Sequence, residues 1–209
     1  MTQNPNLALI GTNPDGSYVP ANYGVQGDLL ISQLHGSKYN RAVNGNLFFG
    51  ANPSGVTTSV ALATTYVGLC LSNPIANTKN LVLRRVSAIF SVVQAAKTAI
   101  GLITGWSAAG IVTHTTPLTP KCANLANTVA ATGKLDSACT LVGSGANAPL
   151  WGRWLSSGAT ATSDPAVDVD LEGGLVIVPG AYVATGTLIA GPTSGFLGSM
   201  EWEEIPVLS

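Results

Sequence analysis

Beyond residue 55, apolar positions in this chain alternate with polar ones at a period of two, in runs bounded by Gly, Pro and Asn. That period predicts strands and scarcely any helix, because successive side chains on a strand point to opposite faces. In residues 66–71, Val67, Leu69 and Leu71 share a face, so a half-buried strand is expected, stopped by Ser72-Asn73-Pro74. From 81 to 93, Val82, Val86, Ala88, Phe90 and Val92 form one face and Arg85, Ser87 and Ser91 the other. Arg84 breaks the pattern. It marks either a bulge at Arg84-Arg85 or an inward arginine paired with a carboxylate, and the bulge is the preferred reading. In 99–106, small residues (Ala99, Gly101, Gly105) oppose Ile100, Leu102 and Trp106, which suits a strand whose neighbour approaches closely.

Residues 107–150 are rich in Ala, Thr, Asn and Gly and read as long loops with one or two short strands and a turn of helix near 123–129. Short strands follow at 151–155 and 167–171. Residues 175–178 and 181–189 then flank Pro179-Gly180, the pair that supplies the two dihedrals of a type II turn, so a hairpin is expected there. At the end, Met200 and Trp202 alternate with Glu201 and Glu203, placing the acids outward, and residues 205–207 close the chain on a strand.

The leading segment differs. Residues 1–46 are rich in Asn, Gly, Gln and Pro, with the turn string Asn13-Pro14-Asp15-Gly16 and one compact apolar patch, Leu29-Leu30-Ile31. Ser37 is placed to cap a turn of helix through Val43 that Gly45 would end. The expected organisation is an extended arm over 1–52 and a β-sandwich domain over 53–209. Seven or eight strands with little helix predict an all-β, antiparallel two-sheet sandwich, with jelly roll as the topology.

Composition sharpens this picture. Asp, Glu, Lys and Arg make up 9% of the chain, against about 25% in ordinary soluble domains. A monomer of this mass exposes roughly 9,000 Å², so nine basic and ten acidic residues cover it sparsely. Such a surface is a carpet of small neutral polar groups, is buried against other subunits, or is both. Net charge is -1 and no basic run exceeds Arg84-Arg85, so a nucleic-acid partner is not expected. Nor is a membrane one: the most apolar window, 99–112, is short and broken by glycines. The first six residues lack the basic-then-apolar order of a secretion signal, which favours synthesis in a cytoplasm. Cys70, Cys122 and Cys139 are odd in number and widely spaced, and read as buried free thiols.

Three segments carry a resemblance: 27–36 (Gly-Asp-Leu-Leu-Ile-Ser-Gln-Leu-His-Gly), 79–87 (Lys-Asn-Leu-Val-Leu-Arg-Arg-Val-Ser) and 198–206 (Gly-Ser-Met-Glu-Trp-Glu-Glu-Ile-Pro). With the leading arm and the Pro-Gly turn, they resemble the jelly-roll cement or decoration proteins of tailed-phage heads. The resemblance implies oligomers on the outside of an icosahedral shell that clamp adjacent major capsid subunits, and it brings no catalytic residues.

Candidate chemistry is thin. Asp168, Asp170 and Glu172, at spacing two, would share one strand face and are the weak candidates for a hard cation. Calcium needs about six to eight oxygens, however, and a solvated face is the preferred reading, so no cofactor is expected. His35 and His114 have no local ligand or triad pattern. Gly143-Ser144-Gly145 and residues 195–198 match neither a phosphate loop nor a nucleophile elbow. No paired acid and base emerges, so an enzyme is not expected. Trp106, Trp151 and Trp154 suit core or interface, or stacking on a sugar. Interface candidates are Leu29, Leu30, Ile31, Tyr39, Trp151 and Trp154. The expected partners are the major capsid protein and further copies of the chain, a trimer before a dimer, on the virion exterior. A carbohydrate- or receptor-binding sandwich of a tail fibre or spike is the alternative.

Overall fold

The computed structural model describes residues 11–12, 18–19, 38–59, 64–92, 98–108, 112–141, 148–150, 156–157, 167–187 and 195–207. The chain divides into two units, Met1–Tyr39 and Asn40–Ser209. In the first, β1 (Gly11–Thr12) pairs antiparallel with β2 (Tyr18–Val19).

The single described helix is α1 (Tyr39–Val43). It ends as its sequence dictates: Gly45 takes φ 73°, its N–H donates to Ala42, and the Asn46 N–H donates to Arg41. Those are the paired bonds of a glycine-terminated helix. The strands that follow are β3 (Leu47–Ala51), β4 (Thr65–Ser72), β5 (Lys79–Phe90), β6 (Thr98–Trp106), β7 (Thr113–Leu118), β8 (Lys121–Cys122), β9 (Lys134–Thr140), β10 (Ala148–Leu150), β11 (Ser156–Ser157), β12 (Val167–Ile177), β13 (Ala181–Thr187) and β14 (Phe196–Pro206).

They form two antiparallel sheets packed into a sandwich. One runs β12-β5-β14-β3-β8; the other runs β10-β6-β13-β4-β9-β7, with β11 also on β6. Without β7, β8, β9 and β11, the orders are β3-β14-β5-β12 and β4-β13-β6-β10. First and last strands are neighbours and the chain crosses repeatedly between sheets, which is the jelly-roll arrangement. Between the sheets lies a core that includes Phe48, Leu69, Leu71, Leu81, Leu83, Val86, Phe90, Ile100, Leu102, Phe196, Met200 and Trp202. Phe48 stacks on Trp202 with ring centroids 6.2 Å apart, and Phe90 meets Phe196 edge-on at 5.6 Å.

Several expectations are corrected. The sandwich takes in β3, ahead of residue 53, because Phe48 and Leu47 pair with Trp202 and Glu203 of β14; the Pro-Ser-Gly cue after it marks a connection within the fold. In β5, Leu81 and Leu83 are in the core, and the inward set then switches to Val86, Ala88 and Phe90, which leaves Val82 on the outer side. The switch is the bulge expected at Arg84-Arg85: Glu201 faces Arg85 while Trp202 faces Leu83, so Arg84 has no counterpart on β14. Arg84 also binds a carboxylate, that of Glu203, but from the outer side of the sheet, so the bulge is present and the arginine is not inward.

Residues 123–129 form turns and no helix, and the expected loops hold β7, β8 and β9. The separate strands expected at 167–171 and 175–178 are one: β12 runs on through Gly173-Gly174, with an irregularity between Asp170 and Leu175. Pro179-Gly180 makes its turn, with Gly180 at φ 85° and Ala181 N–H donating to Val178. Yet the flanking strands do not pair. β12 lies in one sheet and β13 in the other, so the expected hairpin is a corner joining the two layers.

β4 is also not half-buried. Tyr66 and Cys70, on the side away from the core, are buried in a second cluster with Val112, Cys139, Leu141, Tyr182 and Ala184. Gly68 makes this possible. At φ 149° it sits in the register break between Val67 and Cys70, and Tyr66 folds back across it. The Tyr66 hydroxyl accepts from Leu69 N–H (2.8 Å) and donates to the Thr185 carbonyl (2.7 Å). A Cβ on Gly68 would lie 2.7 Å from Tyr66 Cζ. Gly68→Ala therefore combines a strained backbone with overpacking and should cost about 2–4 kcal/mol; urea denaturation of the purified chain measures it.

Candidate functional site

Among the described residues, eight of the chain's few charges are engaged in pairs within the chain. On the outer side of the first sheet, Asp170, Arg85, Glu201 and Phe49 form one register row across four strands, and Asp168, Ser87, Ser199 and Ala51 form the next. Asp168 accepts from Ser87 Oγ (2.8 Å) and Arg85 Nε (2.6 Å), and its second oxygen accepts from the other guanidinium arm. This bidentate pair holds the Arg85 guanidinium above its ordinary range through the Asp168 hydrogen bond first and its charge second.

The expected run of three carboxylates thus does not converge. Asp168 is engaged by Arg85 and Ser87. Asp170 Oδ1 accepts the Glu172 N–H at 2.8 Å, and Glu172 sits at φ 50° in the β12 irregularity; all three acids are exposed while Leu171 is buried, the solvated face preferred from sequence. Among the described residues no three His, Cys, Asp or Glu side chains are grouped to hold a metal ion.

At the end of β14 two acids are fully buried. Glu203 points outward as its parity predicts but is covered: Arg41 of α1 lies 2.8 Å from Oε1, and Arg84 Nε donates to Oε2 at 3.1 Å. Glu204 binds the chain's own loop, accepting from the backbone N–H of Thr132 (2.7 Å) and Gly133 (2.9 Å), from Thr132 Oγ1 (2.7 Å) and from Lys79 Nζ (3.2 Å). Neither interaction was visible in sequence, because an acid alternating with apolar residues reads as a solvated one.

His114 is partnered as well. Its Nδ1 lies 2.6 Å from Asp136 Oδ2, and the Asp136 side chain is wholly buried. Burial pushes the Asp136 carboxyl up, and the His114 contact opposes that shift. Cys70, opposite Asp136 on β4, is likewise raised by burial, as are the phenols of Tyr66 and Tyr182. All three cysteines are free and buried. The described surroundings of His114 and Asp136 therefore include the neutral thiol of Cys70 and the neutral phenols of Tyr66 and Tyr182.

The cavities are shallow and mostly apolar. One of about 180 Å³ is lined by Ser72, Asn73, Ile75, Val112, His114 and Ala181, and another of about 360 Å³ lies beside Trp106, Val176, Val178 and Tyr182. Trp106 is 52% exposed, with its Nε1 donating to the Pro179 carbonyl (3.0 Å), so it is surface and not core. Tyr182 lies over Gly105, the close approach expected for that strand. Among the interface candidates, Tyr39 is 48% exposed. Leu29, Leu30, Ile31, Trp151 and Trp154 lie outside the described residues, as does His35. No described helix is long and apolar enough to cross a membrane.

Compared with known proteins, the chain matches no family model, no curated protein and no solved structure.

Proposed function

We propose that this chain is a structural protein of a virion shell, a cement or decoration protein that binds the outside of a tailed-phage head and secures contacts between major capsid subunits. The observation that carries the reading is a jelly roll with few charges, of which Glu203, Glu204, Asp168 and Asp136 are each spent on a neighbour within the same chain. The surface left over is rich in small neutral groups, which pack against other subunits without the cost of stripping water from ions. The resemblance of residues 27–36, 79–87 and 198–206 supports the same reading, and the Asn-, Gly-, Gln- and Pro-rich composition of residues 1–37 suits an arm that lies along a neighbouring subunit.

A closed ring of copies, a trimer before a dimer, saturates such a surface and avoids open filaments. Light scattering on the purified chain should give a mass that is a multiple of 21.2 kDa, and the oligomer should sediment with expanded heads. A monomer that leaves heads bare contradicts the proposal. The half-exposed Trp106 beside its cavity favours a second reading, a carbohydrate- or receptor-binding sandwich of a tail fibre or spike. Glycan-array binding that is lost in Trp106→Ala, without head association, would put that reading first.

A further inference from the structure

β7 is the outermost described strand of its sheet and pairs with β9 through a register that slips twice in six residues, at His114/Thr116 and Thr116/Pro117. Its residues are exposed up to Pro117, and Pro117 has no N–H to give to the ladder. A strand with little buried surface and a broken ladder belongs to the low end of local stability. Two side-chain bonds fasten it: His114 to Asp136 at 2.6 Å, and Ser137 Oγ to the Thr116 carbonyl at 3.4 Å.

The first of these bonds closes over a buried acid. The Asp136 side chain has no exposure, and its Oδ1 has no hydrogen-bond partner. Cys70 of β4 is its register partner and Lys134 of β9 acts on it by charge, while Cys139, the register partner of His114, packs with Tyr66, Cys70 and Tyr182 in the second cluster. The Cys70 thiol and the Tyr66 and Tyr182 phenols are neutral. Lys134 is exposed and acts on Asp136 only by its charge, as the smallest of the effects on that group. Contact neutralisation of Asp136 among the described residues thus falls to His114. With one proton shared between imidazole and carboxyl, the closed site has no net charge; without it, a carboxylate with one bare oxygen is shut away from water.

We propose that β7 is a proton-operated strap, held over the edge of β9 by the His114–Asp136 bond while the pair keeps its proton and released when the proton is lost. Release hydrates Asp136 and uncovers the backbone edge of β9. Closed, the site binds the proton more tightly than when open, because burial raises Asp136. Closure is therefore favoured while the pair holds that one proton, and the advantage is lost as pH rises and the proton leaves.

Amide hydrogen exchange on the full chain across pH, corrected for intrinsic rates, reads the strap directly, with β14 as the internal reference. In the wild type, protection of β7 should fall severalfold relative to β14 as pH rises. In Asp136→Asn, which keeps the shape and an acceptor but has no charge to bury, the ratio should be flat. If Asp136→Asn does not fold, His114→Gln takes its place, and the pH dependence must then move or vanish. A wild-type ratio that does not vary with pH, or a slope unchanged in the variant measured, overturns the proposal.

Discussion

Glu204→Ala should cost about 3–5 kcal/mol, the penalty for removing one partner of a buried, charged network. In the native chain this carboxylate satisfies the Thr132 and Gly133 N–H groups and the Thr132 hydroxyl, and it pairs with Lys79. Truncation strands two backbone donors and one ammonium around a void at the end of the core. At about 2–4 °C per kcal/mol for a domain of this size, the melting temperature should fall by roughly 6–20 °C. Glu204→Gln should lose less, since its amide oxygen still accepts from the loop. Calorimetry of the three proteins decides it; equal losses for Gln and Ala would show that the charge, not the loop bonds, carries the interaction.

Trp202→Ala should be comparably damaging for a different reason. Trp202 is fully buried between the sheets, stacked on Phe48 and close to Gly133, whose Cβ would lie 3.2 Å from the indole nitrogen. Its removal leaves a cavity where β14, β3 and the 131–133 turn meet, and large-to-small changes of an aromatic in a core cost about 3–5 kcal/mol. Trp202→Phe keeps most of the apolar contact and should recover about half of that. Urea unfolding midpoints measure both, with the slope expected to stay constant. The two sites share the 131–133 turn, so the double variant Glu204→Ala/Trp202→Ala should fall short of additivity.

These two residues also show what sequence could and could not convey. Trp202 was legible, because alternation with Met200 places it on the inner face of a strand. Glu204 was not: the groups it serves are about seventy residues or more than a hundred residues away, and local periodicity carries no information about them. Pro179-Gly180 teaches the same lesson for topology. The dihedrals of the turn follow from the residue types, but whether the strands on either side share a sheet depends on which neighbours win them; β5 takes β12, while β4 and β6 take β13.

Arg84 is an instructive intermediate. Its break in alternation announced a bulge, which the structure has, and the carboxylate that answers it sits on β14. His114 and Asp136 gave no sign at all, since a spacing of 22 residues across two slipping strands matches no periodic pattern. The carboxylates of β12 face outward as preferred, and what sequence could not convey is that Arg85 takes Asp168 and that Glu172 and Gly173, both at positive φ, interrupt the pairing of β12 with β5. The sandwich itself was readable because its inner faces are built from short, separate alternating runs, each of which declares its own parity.

The proposal of a shell protein is tested most directly by cryo-electron density of intact particles. It predicts a two-sheet jelly roll on the outer surface of the head, repeated about a local symmetry axis, with residues of the leading arm lying along an adjacent subunit. A shell surface that carries no such density, with the domain found instead at the tail or absent from the particle, would contradict it.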